Sequence, residues 1–209
     1  MDTARQRDEM LRLLERFGIR DRRVLEAMAR VPREEFVSSA DRDVAYGDHA
    51  LPIGEGQTIS QPYVVARMTE LLEVRPEHRV LEVGTGSGYQ AAVLADLARE
   101  VISVERHAPL ADAARERLER LGYGNVRVIH ADASLGYPAE APYDGILITA
   151  ATPAIDPSLA QQLTADGRIV APVGDLDHQD LVVRDARGRE QRHGAVRFVP
   201  LRGEAGFRG

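Results

Sequence analysis

The sequence predicts a doubly wound α/β fold: a mostly parallel sheet, an antiparallel strand pair at its carboxyl end and a helical extension at its amino end. Three observations predict it. From Pro62 onward short apolar runs alternate with amphipathic stretches, the pattern of strands joined by right-handed helical crossovers. One apolar run, Val80 to Val83, passes straight into Gly84-Thr85-Gly86-Ser87-Gly88 and then into a helical pattern. After Val173 the helical period disappears, leaving two apolar runs joined by a turn-rich segment, which suits antiparallel pairing at a sheet edge.

In chain order, Leu11, Leu14 and Phe17 share one face of a first helix, and Gly18 stops it. Asp21 is placed to cap a second helix carrying Val24, Leu25, Met28 and Val31 before Pro32. This segment, 1–52, reads as a helical brace, because its arginines alternate with acids and so do not form a basic arm. Gly54 to Pro62 reads as a polar loop leading into a helix with Val64, Val65, Met68, Leu71 and Leu72 on one face, which Pro76 is expected to break. Strands follow at Arg79–Val83, Val101–Glu105, Val126–Ile129, Tyr143–Thr149 and Arg168–Val173, with helices at Ala91–Ala98, Ala108–Leu121 and near Pro157–Leu163. Leu181–Arg184 and Ala195–Leu201 are the expected antiparallel pair, and 202–209 is a tail. Residues 1–209 thus form one domain, with 53–201 as its core.

Composition removes several functions. The 209 residues hold no Cys, so disulfides, thiolate zinc sites and cysteine nucleophiles are excluded. All 27 basic residues are Arg, which excludes a Schiff-base lysine and a P-loop lysine. Against 33 acids the net charge is −6, a balance that disfavours a broad nucleic-acid surface. No apolar run approaches the ~20 residues of a bilayer span. The amino-terminal segment has no basic stretch followed by an apolar one, so a cytosolic location without membrane association is expected. No metal site is expected.

The strongest local signal is the glycine loop. At the carboxyl end of the first core strand it occupies the crevice where open α/β sheets bind ligands, hence a Rossmann-like domain. The glycines Gly84, Gly86 and Gly88 fit G-x-G-x-G, whereas a dinucleotide fingerprint needs its third glycine at the position of Tyr89. Glu82 just before the loop would repel a pyrophosphate and suits a ligand bearing an ammonium or sulfonium charge. Glu105, about 20 residues beyond the loop, can accept ribose hydroxyls. Asp132 follows the third strand. Acids at three successive strand ends suit a ligand with an ammonium, a ribose diol and an exocyclic amine, and S-adenosylmethionine has all three. Upstream, Ser60 or Gln61 is an ordinary N-cap candidate ahead of Pro62, yet helix-start amides with two hydroxyls can also bind a carboxylate.

Several runs carry a resemblance to a known family. Gly56-Gln57-Thr58-Ile59-Ser60-Gln61-Pro62 resembles the signature loop of protein-L-isoaspartate O-methyltransferases, and Leu81 to Tyr89 is similar to that family's cofactor motif. Val104-Glu105-Arg106, Ala141 to Asp144, Gly167 to Gly174 and the closing Val196 to Leu201 match in order. The resemblance implies a monomeric cytosolic repair enzyme that moves methyl from S-adenosylmethionine to the free carboxylate of an L-isoaspartyl residue in damaged proteins and peptides. The ester then cyclises to a succinimide, whose hydrolysis partly restores aspartate. It implies Ser60 as the active-site hydroxyl, with Thr58 and Ile59 between substrate and cofactor. The cofactor set is completed by Glu82, Gly84, Gly86, Gly88, Glu105, Arg106, Asp132 and Ala133. Ala131-Asp132-Ala133 departs from the common Gly-Asp-Gly.

An acceptor carboxylate with a pKa of ~4 is already ionised at neutral pH, so no general base is needed and His49, His78, His107, His130, His178 and His193 read as structural or surface residues. Catalysis is expected from alignment and exclusion of water. Tyr46, His49 and Gln179 are candidates for the substrate groove. Three other readings stay open on the residues: a class I methyltransferase with a small-molecule or nucleic-acid substrate, a nucleotide-dependent oxidoreductase, and a non-catalytic S-adenosylmethionine-binding protein.

Overall fold

A computed structural model describes residues 3–208, so the ends of the expected extension and tail, Met1, Asp2 and Gly209, lie outside the described residues. The extension begins with α1 (Thr3–Arg16) and α2 (Arg22–Arg30). Met10 and Leu14 of α1 are buried, while Phe17 lies past the last turn, 50% exposed, with its ring edge-on to Tyr63 at 5.6 Å. The helix stops one residue before the apolar face places Phe17, because Gly18 reverses the chain at φ +101°. Asp21 caps α2, accepting from the Arg23 N–H at 2.9 Å. Glu70 accepts from the N–H groups of Arg20 and Asp21 at 2.7 and 2.9 Å, which ties this turn to the core. Two 3₁₀ turns follow, Arg33–Phe36 and Ser39–Val44.

The polar stretch ahead of Pro62 is more ordered than a loop. It forms an antiparallel hairpin, β1 (Leu51–Gly54) with β2 (Gln57–Ile59). The reversal is made by Gly54, Glu55 and Gly56 at φ +96°, +51° and +67°, a left-handed run that two glycines make cheap. Glycines and polar residues read as a loop in sequence because the strands are too short to show alternation.

The core then runs α3 (Pro62–Leu72), β3 (Arg79–Val83), α4 (Tyr89–Ala95), β4 (Glu100–Glu105), α5 (Ala108–Arg120), β5 (Val126–His130), β6 (Tyr143–Ile148), α6 (Pro157–Ala160), β7 (Leu163–Gly174), β8 (Gln179–Asp185) and β9 (Glu190–Val196). The seven strands lie in the order β5-β4-β3-β6-β7-β8-β9, parallel through β7 and antiparallel thereafter. β3 is central, and the chain switches direction of travel between β3 and β6, the place where such sheets open a ligand crevice. Alternate residues of the strands serve opposite layers: Val80, Val101 and Leu147 join the core under α1 to α4, and Leu81, Val83, Ile102 and Val104 join the other. Each fully buried Val, Leu or Ile contributes about 1.5–3 kcal/mol.

Several boundaries differ from the sequence reading: α4 is Tyr89–Ala95 where Ala91–Ala98 is expected, and three later elements differ more. The helix near Pro157 is a single turn. β7 begins at Leu163, five residues before Arg168. The last strand is Glu190–Val196 and not Ala195–Leu201. A tight turn sets that register, with Asp185 accepting from the N–H groups of Arg187 and Arg189 at 2.9 Å each. The apolar run after Val196 leaves β8 and crosses to β6: the Ala151 N–H donates to Val199 at 2.8 Å, and the Leu201 N–H donates to Ala151 at 2.7 Å. The crossing buries Leu201 and half-buries Phe198, Val199 and Pro200, so the run is apolar without pairing in a ladder.

Candidate active site

A cleft opens at the carboxyl ends of β3, β4, β5 and β6, floored by the glycine loop. Gly84 adopts φ +98°, and a Cβ there would lie 2.5 Å from Thr149 Oγ1, so only glycine lets the chain turn under the cleft. Thr149 follows β6 and its hydroxyl donates to the Gly84 carbonyl at 2.6 Å, locking the first bend. The next bend is held by Glu105 at the end of β4, whose two carboxyl oxygens accept from the N–H groups of Gly86 and His107 at 2.9 Å each. Glu105 is buried and borders the cleft with its remaining lone pairs free to accept a ligand's hydroxyls. Gly86 lies against the hairpin, for a Cβ on it would meet Ile53 Cδ1 at 3.2 Å.

Gln57, Thr58, Ile59 and Ser60 of the hairpin and its exit form one wall. Phe198 to Arg202 form another, held at their start by Gln179, whose side-chain oxygen accepts from the Phe198 N–H at 3.0 Å. Asp132 and Ala133, after β5, close the outer end together with Arg106. Burial alone would raise the Asp132 pKa, but the N–H groups of Ser134 at 2.8 Å and Glu204 at 3.0 Å outweigh it and hold the carboxyl below its usual range. The expected tail is therefore folded onto the site: Ser134 Oγ also accepts from the Ala205 N–H at 3.1 Å.

Of the residues singled out in the sequence, the structure brings Thr58, Ile59, Ser60, Gly84, Gly86, Glu105, Arg106, Asp132 and Ala133 to this one cleft. Glu82 and Gly88 lie outside its lining. Gly88 stands at φ +89° at the start of α4, packed against Leu118 and Ala114. Glu82 is fully buried beneath the loop, where it accepts from Ser103, which in turn pairs with Thr85 at 2.6 Å. Burial, reinforced by the nearby Glu105 charge and opposed by the Ser103 hydrogen bond, pushes the Glu82 carboxyl up to about 8. At neutral pH it is largely uncharged, so Glu105 and Asp132, not Glu82, supply the negative field of the cleft.

Tyr46, His49 and Gln179 do not reach the cleft wall. Tyr46 is bonded to Glu34 and Arg7, and Gln179 acts from behind through Phe198. Among the histidines His107 alone borders the cleft, with Nδ1 3.7 Å from Glu55 Oε2 of the hairpin turn. Thr149, Thr85 and Ser134 are cleft residues that the sequence reading missed. For Thr149 a signal existed, since it directly follows the strand adjoining β3 at the switch point.

The comparisons with known proteins meet this geometry. Residues 5–206 match the family described as protein-L-isoaspartate(D-aspartate) O-methyltransferase. The chain belongs to this family. A protein-L-isoaspartate O-methyltransferase of Methanoculleus marisnigri is 54% identical over 209 residues, covering 98% of this chain and 95% of that protein. One from Methanoregula boonei is 56% identical over 194 residues, covering 91% of this chain and 89% of its own. Among solved structures, a protein-L-isoaspartate O-methyltransferase superposes with a TM-score of 0.86 at 29% identity, covering 96% of this chain and 67% of that one. A beta-aspartate methyltransferase from Plasmodium falciparum in complex with S-adenosyl-L-homocysteine superposes with a TM-score of 0.80 at 26% identity, covering 93% of this chain and 97% of that one. The Rossmann-like methyltransferase architecture and dependence on S-adenosylmethionine follow from this membership.

Proposed function

We propose that the chain repairs damaged proteins by methylating the free carboxylate of L-isoaspartyl residues, with S-adenosylmethionine as methyl donor. One observation carries the reading: Thr58, Ile59 and Ser60 stand on the wall of the same cleft that Gly84, Gly86 and Glu105 floor, so an acceptor presented by the hairpin side meets a ligand held by the loop. The cleft fits the donor. Gly84 lets the loop turn tightly beside Thr149 under the cleft, Glu105 suits the ribose diol, and Asp132, kept ionised, suits the adenine amine.

The bound donor supplies an electrophilic methyl on a sulfonium. The chain's own work is to align and to dry. Ser60 orients the acceptor carboxylate, which is already ionised at neutral pH with a pKa of ~4 and needs no base. Ile59 and the Val199–Leu201 wall exclude water from between two opposite charges, and alignment of this kind corresponds to about 7–11 kcal/mol in favourable cases. The product ester then closes to a succinimide away from the protein.

The test is methyl transfer to an isoaspartyl peptide beside its aspartyl counterpart. Labelling of the isoaspartyl peptide alone is expected, and equal labelling of both, or of neither, overturns the reading. Ser60→Ala is expected to lower turnover by ~10–100-fold while the cofactor dissociation constant changes less than ~3-fold. A cytosolic location, a monomeric state and the lack of a nucleic-acid partner belong to the same proposal; the acidic balance supports the last of these, and no helix among the described residues is long and apolar enough to cross a membrane. Sedimentation of the purified protein checks the monomer.

A further inference from the structure

Arg33 has no exposed surface, and it lies in the amino-terminal extension, directly behind the cleft lining and not part of it. Its Nε donates to the Ala45 carbonyl and its Nη2 to the Ser60 carbonyl, each at 2.7 Å. Its guanidinium lies 4.7 Å from the centre of the Tyr89 ring, and Tyr89 is the first residue of α4, directly after the glycine loop. Nη1 and the Tyr89 hydroxyl both lack a geometrically sound hydrogen-bond partner among the described residues. The acid whose charge reaches Arg33 is Asp48, and it is turned to another task, accepting from the Tyr63 N–H at 2.8 Å just past Ser60.

Burying a guanidinium without a contacting carboxylate is unfavourable. An apolar side chain of similar volume would fill this place without that cost. It could not grip two carbonyls with one planar fork, and a lysine ammonium could not do so in the same plane. The Ser60 carbonyl is the handle on the peptide plane that sets where the Ser60 side chain points.

We propose that Arg33 is a positioning residue for methyl transfer: by holding the Ser60 carbonyl while stacked on Tyr89, it fixes the acceptor loop relative to the glycine loop. The inference rests on the reading that Ser60 orients the acceptor. It assigns to the extension a part in the reaction that packing alone does not require.

The experiment is a double-mutant cycle of Arg33→Lys with Ser60→Ala, with hydrogen exchange of the hairpin amides measured in parallel. Folded R33K is expected to lose ~10–100-fold in kcat, with the peptide KM and cofactor dissociation constant within ~3-fold of the wild type. In the S60A background the same substitution should cost less than ~3-fold, because the group it positions is gone. Amides of residues 57–64 should exchange at least ~10-fold faster in R33K while β3 and β4 stay protected. Equal kcat losses in the two backgrounds, or wild-type protection of 57–64 in folded R33K, overturn the proposal. Should R33K be unfolded, Arg33→Gln, which removes the buried charge and keeps an amide donor, carries the same cycle. The exchange readout needs no substrate, so it judges Arg33 even if the isoaspartyl assay fails.

Discussion

Glu82 has its carboxyl fully buried in β3, with a pKa pushed up to about 8 by desolvation. Its proton is therefore held in the folded state across a range where the unfolded chain, at about 4.5, has released it. The folded state binds more protons there, so stability falls as pH rises from about 4.5 to about 8. Glu82→Gln is expected to flatten that decline, and melting temperatures of the two proteins between pH 5 and pH 9 measure it, the gap on the alkaline side being on the order of a few kcal/mol. Glu105 behaves oppositely in function: with Gly86 and His107 both donating to it, Glu105→Ala frees the loop and deletes the ribose acceptor. Cofactor affinity should drop by ~1–3 kcal/mol, read as a dissociation constant by calorimetry. Both acids are visible in the sequence near strand ends, and alternation does not distinguish them, because Glu82 pairs with Ser103 and so shares a face of the sheet with Glu105. Position does: Glu82 lies inside β3, with Val83 after it, whereas Glu105 is the last residue of β4 and reaches the cleft.

At the scale of elements, what sequence reads well is a signal contained within one element. Asp21 before Val24, Leu25 and Met28 announced α2, and the cap is formed. Its carboxyl is held below the ordinary range chiefly by the Arg23 side chain, with burial opposing, so the cap is present at neutral pH and weakens as pH falls through that lowered value. Asp21→Ala is expected to cost about 1 kcal/mol, measurable as a shift in the urea midpoint with an unchanged slope. What sequence reads poorly is an element whose partner is remote. β9 pairs with β8 from Glu190, whose side chain meets Arg184 at 2.8 Å, and the apolar run after it was drawn away by Ala151. Periodicity carries no information about that partner. The hairpin Leu51–Ile59 was missed for a related reason: three- and four-residue strands hold too few positions to show a period.

For the whole molecule, alternation of strands and helices was enough to give the architecture, and the order β5-β4-β3-β6 then brings Glu105, Asp132 and the glycine loop to one edge without further information. The contribution of the two ends of the chain was not legible. Arg33 acts on Ser60 from the front of the sequence, and Glu204 and Ala205 act on Asp132 and Ser134 from its end, through backbone groups that carry no residue signature. A chain stopped after Arg202 is expected to remain folded, to melt a few degrees lower and to bind the cofactor ~10-fold more weakly, or about 1.4 kcal/mol, as thermal shifts with and without the cofactor would show. A melting point and affinity equal to the full chain's would remove the tail from the site.

The crossing of Val199 to Leu201 onto Ala151 also sets a schedule for how the molecule comes into being. Those residues wall a cavity whose floor is made more than a hundred residues earlier in the chain. Until they emerge, a nascent chain has the floor, the hairpin and an open flank. Tight capture of the methyl donor therefore waits for synthesis to pass Leu201.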